Sequence, residues 1–245
     1  MKIGFISDVH GNLEALETSL NLLGKESLES IFCAGDIVGY GPNPEECVNI
    51  ITKNNIKTVM GNHDYAVNDA QFDEYFNTVA REAIIWTREH LSIHATDILK
   101  SLPLSTTLEG VTIFHGFLNE KSPFRYILSI ADAIDCFKNL NTQIGVFGHS
   151  HVAGCFVHKP DGGVEYISGQ NSLTLKVSHE FKYLINVGSV GQPRDRNPAG
   201  ACAILDTDTM IIRILRFNYD IKSVYKKIME RGLPPFLAER LLSGY

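Results

Sequence analysis

Apolar runs of four to six residues punctuate the chain, and each is followed by a polar cluster. Lys2–Ser7, Ser30–Ala34, Ile56–Met60, Val111–Phe114 and Gln143–Phe147 are such runs. Short, nearly continuous apolar runs of this length predict buried parallel strands. Between the first two, Leu13, Leu16, Leu20 and Leu23 recur at helical spacing, and Gly24 is placed to end that helix. Before the third run, Asn43 can cap a helix, Pro44 suits its first position, and Glu45 and Glu46 suit its positive end. Helices are also predicted over Thr78–Leu91, Ala95–Ser101 and Ser129–Leu140. Strand alternating with helix argues for a parallel sheet with crossover helices.

Beyond residue 150 the pattern changes to short β-rich runs divided by turn residues. Val164–Ile167, Leu173–Val177, Tyr183–Val187, Ala201–Leu205 and Ile211–Phe217 read as strands, with Asp161-Gly162-Gly163 as a hairpin loop. Asp220–Arg231 and Pro235–Leu242 close the chain as helices. No repeat or linker-like segment divides it. The change near residue 150 reads as a second sheet packed on the first, so residues 1–245 are expected to form one domain, with the helices from about 220 to 245 packed on it.

Composition narrows the class of partner. At 245 residues and 44% hydrophobic, the chain can bury a full core. Its formal net charge of -6 provides no field that draws in nucleic acid. No apolar run is long enough for a transmembrane helix, and the N-terminus lacks the layout of a signal peptide. Five cysteines with no close pair suggest neither a disulfide framework nor a zinc knuckle, so a cytoplasmic location is expected.

The polar clusters carry the candidate chemistry. The five apolar runs end in Asp8 and His10, in Gly35-Asp36, in Gly61-Asn62-His63-Asp64, in His115-Gly116 and in Gly148-His149-Ser150-His151. Ligands of open α/β sheets bind at the carboxyl ends of the strands, so five such ends can meet in one cleft. Imidazole, carboxylate and amide oxygen suit divalent manganese, iron, nickel, zinc or magnesium. So many groups exceed the needs of one ion and suit two. One histidine or aspartate after a strand is ordinarily a cap or surface group. The ordered set leaves that reading little room.

The ordered motifs Asp8-x-His10, Gly35-Asp36, Gly61-Asn62-His63-Asp64, His115 and Gly148-His149-x-His151 resemble the calcineurin-like metallophosphoesterase superfamily. Asp8-Val9-His10-Gly11-Asn12, Val38-Gly39-Tyr40-Gly41-Pro42 and Gly188–Arg194 are similar to its small bacterial and archaeal phosphodiesterase branch. The resemblance implies an α/β fold of two mixed β-sheets packed as a sandwich, with helices on both outer sides. It implies two divalent ions, manganese first among the candidates, and a metal-bridging water that attacks a phosphoester. One ion would take Asp8, His10, Asp36 and His151, and the other Asp36, Asn62, His115 and His149. His63 would face the substrate and help protonate the leaving oxygen. The implied partner is a small phosphoester, such as a nucleotide. Protein phosphatases of this superfamily carry an acid and an arginine where this chain has Gly39 and Tyr40, which counts against that activity.

Weaker candidates stand beside these. Arg194 would contact substrate phosphate or pair with a neighbouring aspartate. Arg125, with Tyr126, would shape the pocket. Tyr40 would stack on a base or pack over the metal loop. His90, His94, His158 and His179 read as surface or capping residues, and the cysteines as small buried apolar groups. The leading function is a phosphodiesterase for small or nucleotide-type phosphoesters. The alternatives are a phosphomonoesterase or protein phosphatase, and a metal-binding scaffold without chemistry.

Overall fold

The computed structural model describes residues 1–245. Strand β1 (Lys2–Ile6) opens the chain, with Ile3 and Phe5 on one face and Gly4 and Ile6 on the other. Helix α1 (Leu13–Leu23) begins at Asn12, whose side chain accepts the Ala15 amide. It ends at Gly24 in a right-handed conformation, so the left-handed glycine cap is not used here. Strand β2 (Ser30–Cys33) leads to α2 (Pro44–Lys53), with Pro44 at the first position. Asn43 does not cap α2 with its side chain; its amide donates to Glu46. Strand β3 is only Lys57–Thr58, shorter than expected, because the Met60 amide turns away to the Pro103 carbonyl. Helix α3 (Asn62–Ala66), too short for a periodic signal, follows. Then come α4 (Thr78–Glu89) and α5 (Ile93–Lys100).

Strand β4 (Ser105–Leu108) is a polar edge strand that no apolar run announced. It precedes β5 (Val111–Phe114), α6 (Ile130–Phe137), β6 (Ile144–Phe147), β7 (Gly154–His158) and β8 (Val164–Ser168). The chain continues through β9 (Leu173–Lys176), β10 (Lys182–Asn186), β11 (Gly200–Asp206) and β12 (Ile211–Phe217). It closes with α7 (Ile221–Glu230), α8 (Pro235–Glu239) and a 3-10 turn at Arg240–Leu242.

The strands form two mixed six-stranded sheets, ordered β3-β2-β1-β11-β12-β9 and β4-β5-β6-β10-β7-β8. The expected boundary near residue 150 is therefore not where the sheets divide. The first sheet takes three strands from each end of the chain, and the second takes the middle and β10. The five strands with polar ends are split, three parallel strands in one sheet and two in the other.

Packing follows from the alternation. Ile3, Phe5, Ile113, Val146, Ile185 and Ala203 belong to one buried cluster between the sheets. On the outer face of the first sheet, Leu16, Val48 and Leu99 pack with Ile6 and Cys33. On the outer face of the second, Ala133 and Phe137 of α6 pack with Phe114, Phe147 and Leu184. Each large aliphatic side chain so buried contributes roughly 1.5–3 kcal/mol. Val224, Ile228, Leu237 and Leu241 of the last helices pack with Ala80 and Ala83 of α4 and with Tyr40. All five cysteines are buried and unpaired. His90 stacks on Trp86, His158 packs on Phe137, and His94 and His179 are exposed. No helix is long and apolar enough to cross a membrane.

One ion pair fixes the loop that follows β10. Asp195 receives Arg216 of β12 through two hydrogen bonds of 2.8 Å, and both side chains are buried. Asp195, rather than Arg194, is thus the residue with the salt bridge. Removing one partner leaves a buried charge uncompensated, at a cost of about 3–5 kcal/mol. Urea denaturation of Asp195→Ala should show a loss of that order. Asp135→Asn, at an exposed pair with Arg125, should leave the midpoint nearly unchanged.

Candidate active site

The candidate ligands all leave the carboxyl ends of strands. Asp8 and His10 follow β1, Asp36 follows β2, His115 follows β5, and His149 and His151 follow β6, while Asn62 opens α3 after β3. The turns are tight enough to place Asp8, His10, Asp36, His149 and His151 at positive φ, between 49° and 65°. Such non-glycine residues cost on the order of 1 kcal/mol or more each and persist only where the surroundings dictate them. Here they do. The Asp8 amide bonds the Gly35 carbonyl, the His10 amide the Asp36 carbonyl, and the His149 amide the Asp8 carboxylate. Gly61 permits one close approach, since a β-carbon there would fall 2.0 Å from an Asp36 carboxylate oxygen.

The side chains converge in two groups that share Asp36: Asp8, His10, Asp36 and His151, and Asp36, His115 and His149. Asn62 joins the second through its Oδ1, 3.2 Å from His115 Nε2. The Asp36 carboxylate lies 3.5 Å from His10 Nε2 and 3.3 Å from His115 Nε2. Each imidazole bonds a backbone carbonyl with its other nitrogen: His10 to Val38, His115 to Ala34, His149 to Phe124 and His151 to Gln192. A carbonyl accepts only, so each ring donates outward from that nitrogen and turns its other nitrogen inward.

His63 sits differently. It and Asn62 are the first two residues of α3, so the helical turn, not an extended one, separates their side chains. The ring is enclosed by Tyr40 at 4.4 Å, Phe76 at 4.7 Å and His10 at 4.9 Å. Its Nδ1 is buried without a partner, and Nε2 makes no hydrogen bond either. Burial pushes its pKa down to about 4, against the pull of Asp36. No acid orients this ring; aromatic packing does. Gly39 supplies the space, because a β-carbon there would lie 2.4 Å from His63 Nδ1.

Beside the two groups opens a cleft of about 970 Å³. Asn62 and His149 stand at its inner end, and seven aromatic rings line it. Tyr126 stacks on His149 at 3.9 Å. Arg194, Arg125, Arg240 and Lys121 also line it, and no carboxylate does. Arg125 is held by Asp132 and Asp135, whereas Arg194 bonds only Gln192 with its side chain and lies over the Tyr40 ring. Tyr40 thus both packs over the metal loop and borders the cleft. Phe72, Tyr75, Phe76, Phe236 and Arg240 carried no signal in the sequence, since they lie far from every motif.

Residues 1–210 match the calcineurin-like phosphoesterase superfamily domain. The chain belongs to this superfamily. It is 40% identical over 244 residues to an uncharacterized protein of Methanocaldococcus jannaschii, covering 99% of this chain and 98% of that one. A solved metallophosphoesterase from Sphaerobacter thermophilus is 36% identical, covers 100% and 99% of the two chains, and superposes with a TM-score of 0.87. A hypothetical protein from Pyrococcus horikoshii shares the fold at a TM-score of 0.77 and 17% identity, over 100% and 98% of the chains.

As a calcineurin-like phosphoesterase the chain is a phosphoester hydrolase by class, and its residue groups fit a dinuclear divalent site. The fit can be tested on the lone pairs. His10 Nε2 and His151 Nε2 face each other at 3.1 Å, as do His115 Nε2 and His149 Nδ1. Burial pushes His10 and His151 down, so neither takes a proton to relieve the first contact. A cation held by both rings would relieve it. Burial also lowers His149, to about 3. Burial opposes a charge on His115 too, yet the Asp36 carboxylate outweighs it and lifts His115 to about 9.

This geometry sets an expectation for metal uptake. Asp36→Asn should weaken both sites together, whereas His115→Ala should mainly weaken one. Because His115 is raised, a metal entering below about pH 9 displaces its proton, and affinity should fall as pH falls. Metal titration by calorimetry in two buffers of different ionisation enthalpy reads the stoichiometry and the released proton. About two ions per wild-type chain are expected; single-site losses of equal size in both variants would count against a shared carboxylate.

Proposed function

We propose that this chain is a dinuclear-metal phosphodiesterase acting on small, nucleotide-type phosphoesters. The observation that carries the reading is the shared Asp36 carboxylate, flanked by two ligand groups at the inner end of an aromatic, carboxylate-free cleft. Asp8, His10, Asp36 and His151 would hold one ion, and Asp36, Asn62, His115 and His149 the other, with manganese the first candidate. When bound, the two ions supply Lewis-acid charge to the phosphate oxygens and acidify the attacking water. In the reaction that water forms a new P–O bond, the P–O bond to the leaving group breaks, and a proton ends on the leaving oxygen. At about 970 Å³ the cleft has room for organic groups as well as a phosphate, which supports a diester over a monoester. The Gly39 contact argues against protein phosphatase chemistry, because no acidic side chain fits there beside His63 as it is placed. We read residues 1–245 as one domain, and the buried, unpaired cysteines support a reducing, cytoplasmic setting.

His63 is the group we assign to charge stabilisation and proton delivery. Tyr40 and Phe76 cover its ring, and an incoming phosphate brings negative charge that raises its proton affinity. Its contribution should therefore appear in turnover rather than in metal content. We expect His63→Ala to fold, to keep two ions and to lose about 10²–10⁴-fold in kcat. The loss should be smaller for a nitrophenolate leaving group, which barely needs a proton, than for a ribose or alkyl one. Metal content, melting temperature and turnover of both substrates should be measured on one preparation. Loss of an ion, or wild-type activity, would overturn the assignment.

A further inference from the structure

The metal centre accounts for one phosphate, but the cleft carries positive charge beyond it. Of its four cationic residues only Arg125 pairs with Asp or Glu. Arg194 and Arg240 have none within salt-bridge distance, and neither has Lys121 on the rim. Unpaired cations are common on surfaces, and Lys121, exposed and flexible, needs no further explanation. The two arginines are different because they are partly buried and braced.

Each guanidinium lies over an aromatic ring, Arg194 at 5.5 Å from the centre of Tyr40 and Arg240 at 5.3 Å from that of Phe236. Each is tethered at one edge, Arg194 to Gln192 Oε1 and Arg240 Nε to a main-chain oxygen of Tyr245. Arg194 Nη1 and both terminal nitrogens of Arg240 have no partner in the protein. Stacking fixes the plane of a guanidinium and leaves its edge donors available. A pre-oriented donor pair whose terminal nitrogens are free, with no Asp or Glu beside them, suits a phosphate.

We propose that Arg194 and Arg240 form a second anion subsite, apart from the metal centre, that takes a further phosphate of a ring-bearing substrate. The substrate class is thereby narrowed to nucleotide-type esters with at least two phosphoryl groups. This inference rests on the hydrolase reading above for the phosphate that is cleaved. Burial and the nearness of Arg194 push Arg240 down to about 10, the direction expected for two cations that share a cleft with no anion between them. The two arise from separate elements. Arg194 follows the loop that contacts the metal turn, and Arg240 comes from the turn after α8. The last helices thus contribute to recognition as well as to packing.

Calorimetry of the manganese-loaded full chain tests this with AMP and the non-hydrolysable α,β-methylene analogue of ADP. The analogue should bind at least about 10-fold more tightly than AMP, the worth of one or two charge-assisted hydrogen bonds. Arg194→Gln and Arg240→Gln should each weaken the analogue by about 10-fold and AMP by much less. Arg240→Lys, which keeps the charge, should recover part of the preference, and unchanged melting temperatures would exclude misfolding. Repeating the titration in chelator should preserve the dependence on both arginines. Equal affinity for AMP and the analogue in the wild type, or variants that keep the preference, would overturn the subsite. Turnover of bis-nitrophenyl phosphate by the wild type is a separate readout. Its absence would sink the hydrolase reading while the binding result stood.

Discussion

A single buried carboxylate organises the metal loops, and it is not among the candidate ligands. Asp64 accepts the backbone amides of Asp36, Ile37, Val38 and Gly61 at 2.8–3.3 Å. Those donors come from two turns, one after β2 and one after β3, which no other element joins in this way. The four amide donors favour the charged form of Asp64, but burial and the neighbouring Asp36 charge outweigh them and push its pKa up to about 7. It fixes where Asp36 stands, and the Asp36 carboxylate in turn accepts the His63 amide at 2.8 Å. The proposed shared ligand Asp36, the proposed amide ligand Asn62 and the proposed proton donor are therefore set by one four-way contact. The neighbouring position of these residues in sequence is a consequence of that need.

The rest of the site is held under tension of two kinds. Five candidate ligands have left-handed backbones, and the His10 and His151 Nε2 atoms face each other at 3.1 Å. Neither feature favours folding. Both are sustained by the two-sheet core beneath them, whose buried faces supply the favourable term. The loop after β10 adds a brace from the other side. Val190 and Gly191 amides bond the Ser7 and Asp8 carbonyls, and the Gln192 carbonyl fixes His151. Asp195 then anchors that loop to β12. Strand order matters here: β11 lies antiparallel beside β1, so the loop that leads into β11 reaches the turn after β1.

Much of this was legible in the sequence, for identifiable reasons. A ligand turn must follow a strand and precede a helix or loop, so Asp8, Asp36, His115 and His149 stand out against the apolar runs before them. Sheet membership was not legible. β5 and β6 look like β1 and β2, because both sheets are covered on both faces and their strands read alike. The expectation of a boundary at residue 150 failed for that reason. β4 and α3 were missed because one is a polar edge and the other five residues long. Nor does a sequence state that Tyr40 and Phe76 enclose His63, since those contacts span separate loops.

The C-terminal helices show where a family motif stops being informative. The matched family region ends at residue 210, before α7 and α8 begin. Yet Leu237 and Leu241 pack into the same cluster as Tyr40, while Phe236 and Arg240 line the cleft. A metal centre of imidazoles and carboxylates recognises phosphate, and it does so in the same way whatever the phosphate is attached to. Discrimination must come from groups farther out, where the aromatic walls and the unpaired guanidiniums stand. In this chain those groups are drawn from the 3-10 turn Ala70–Tyr75 that follows α3, from the loop after β5 and from the C-terminal turn. In the proposed reading, chemistry and selectivity rest on different parts of the sequence, the first on strand ends and the second on the segments that cover them.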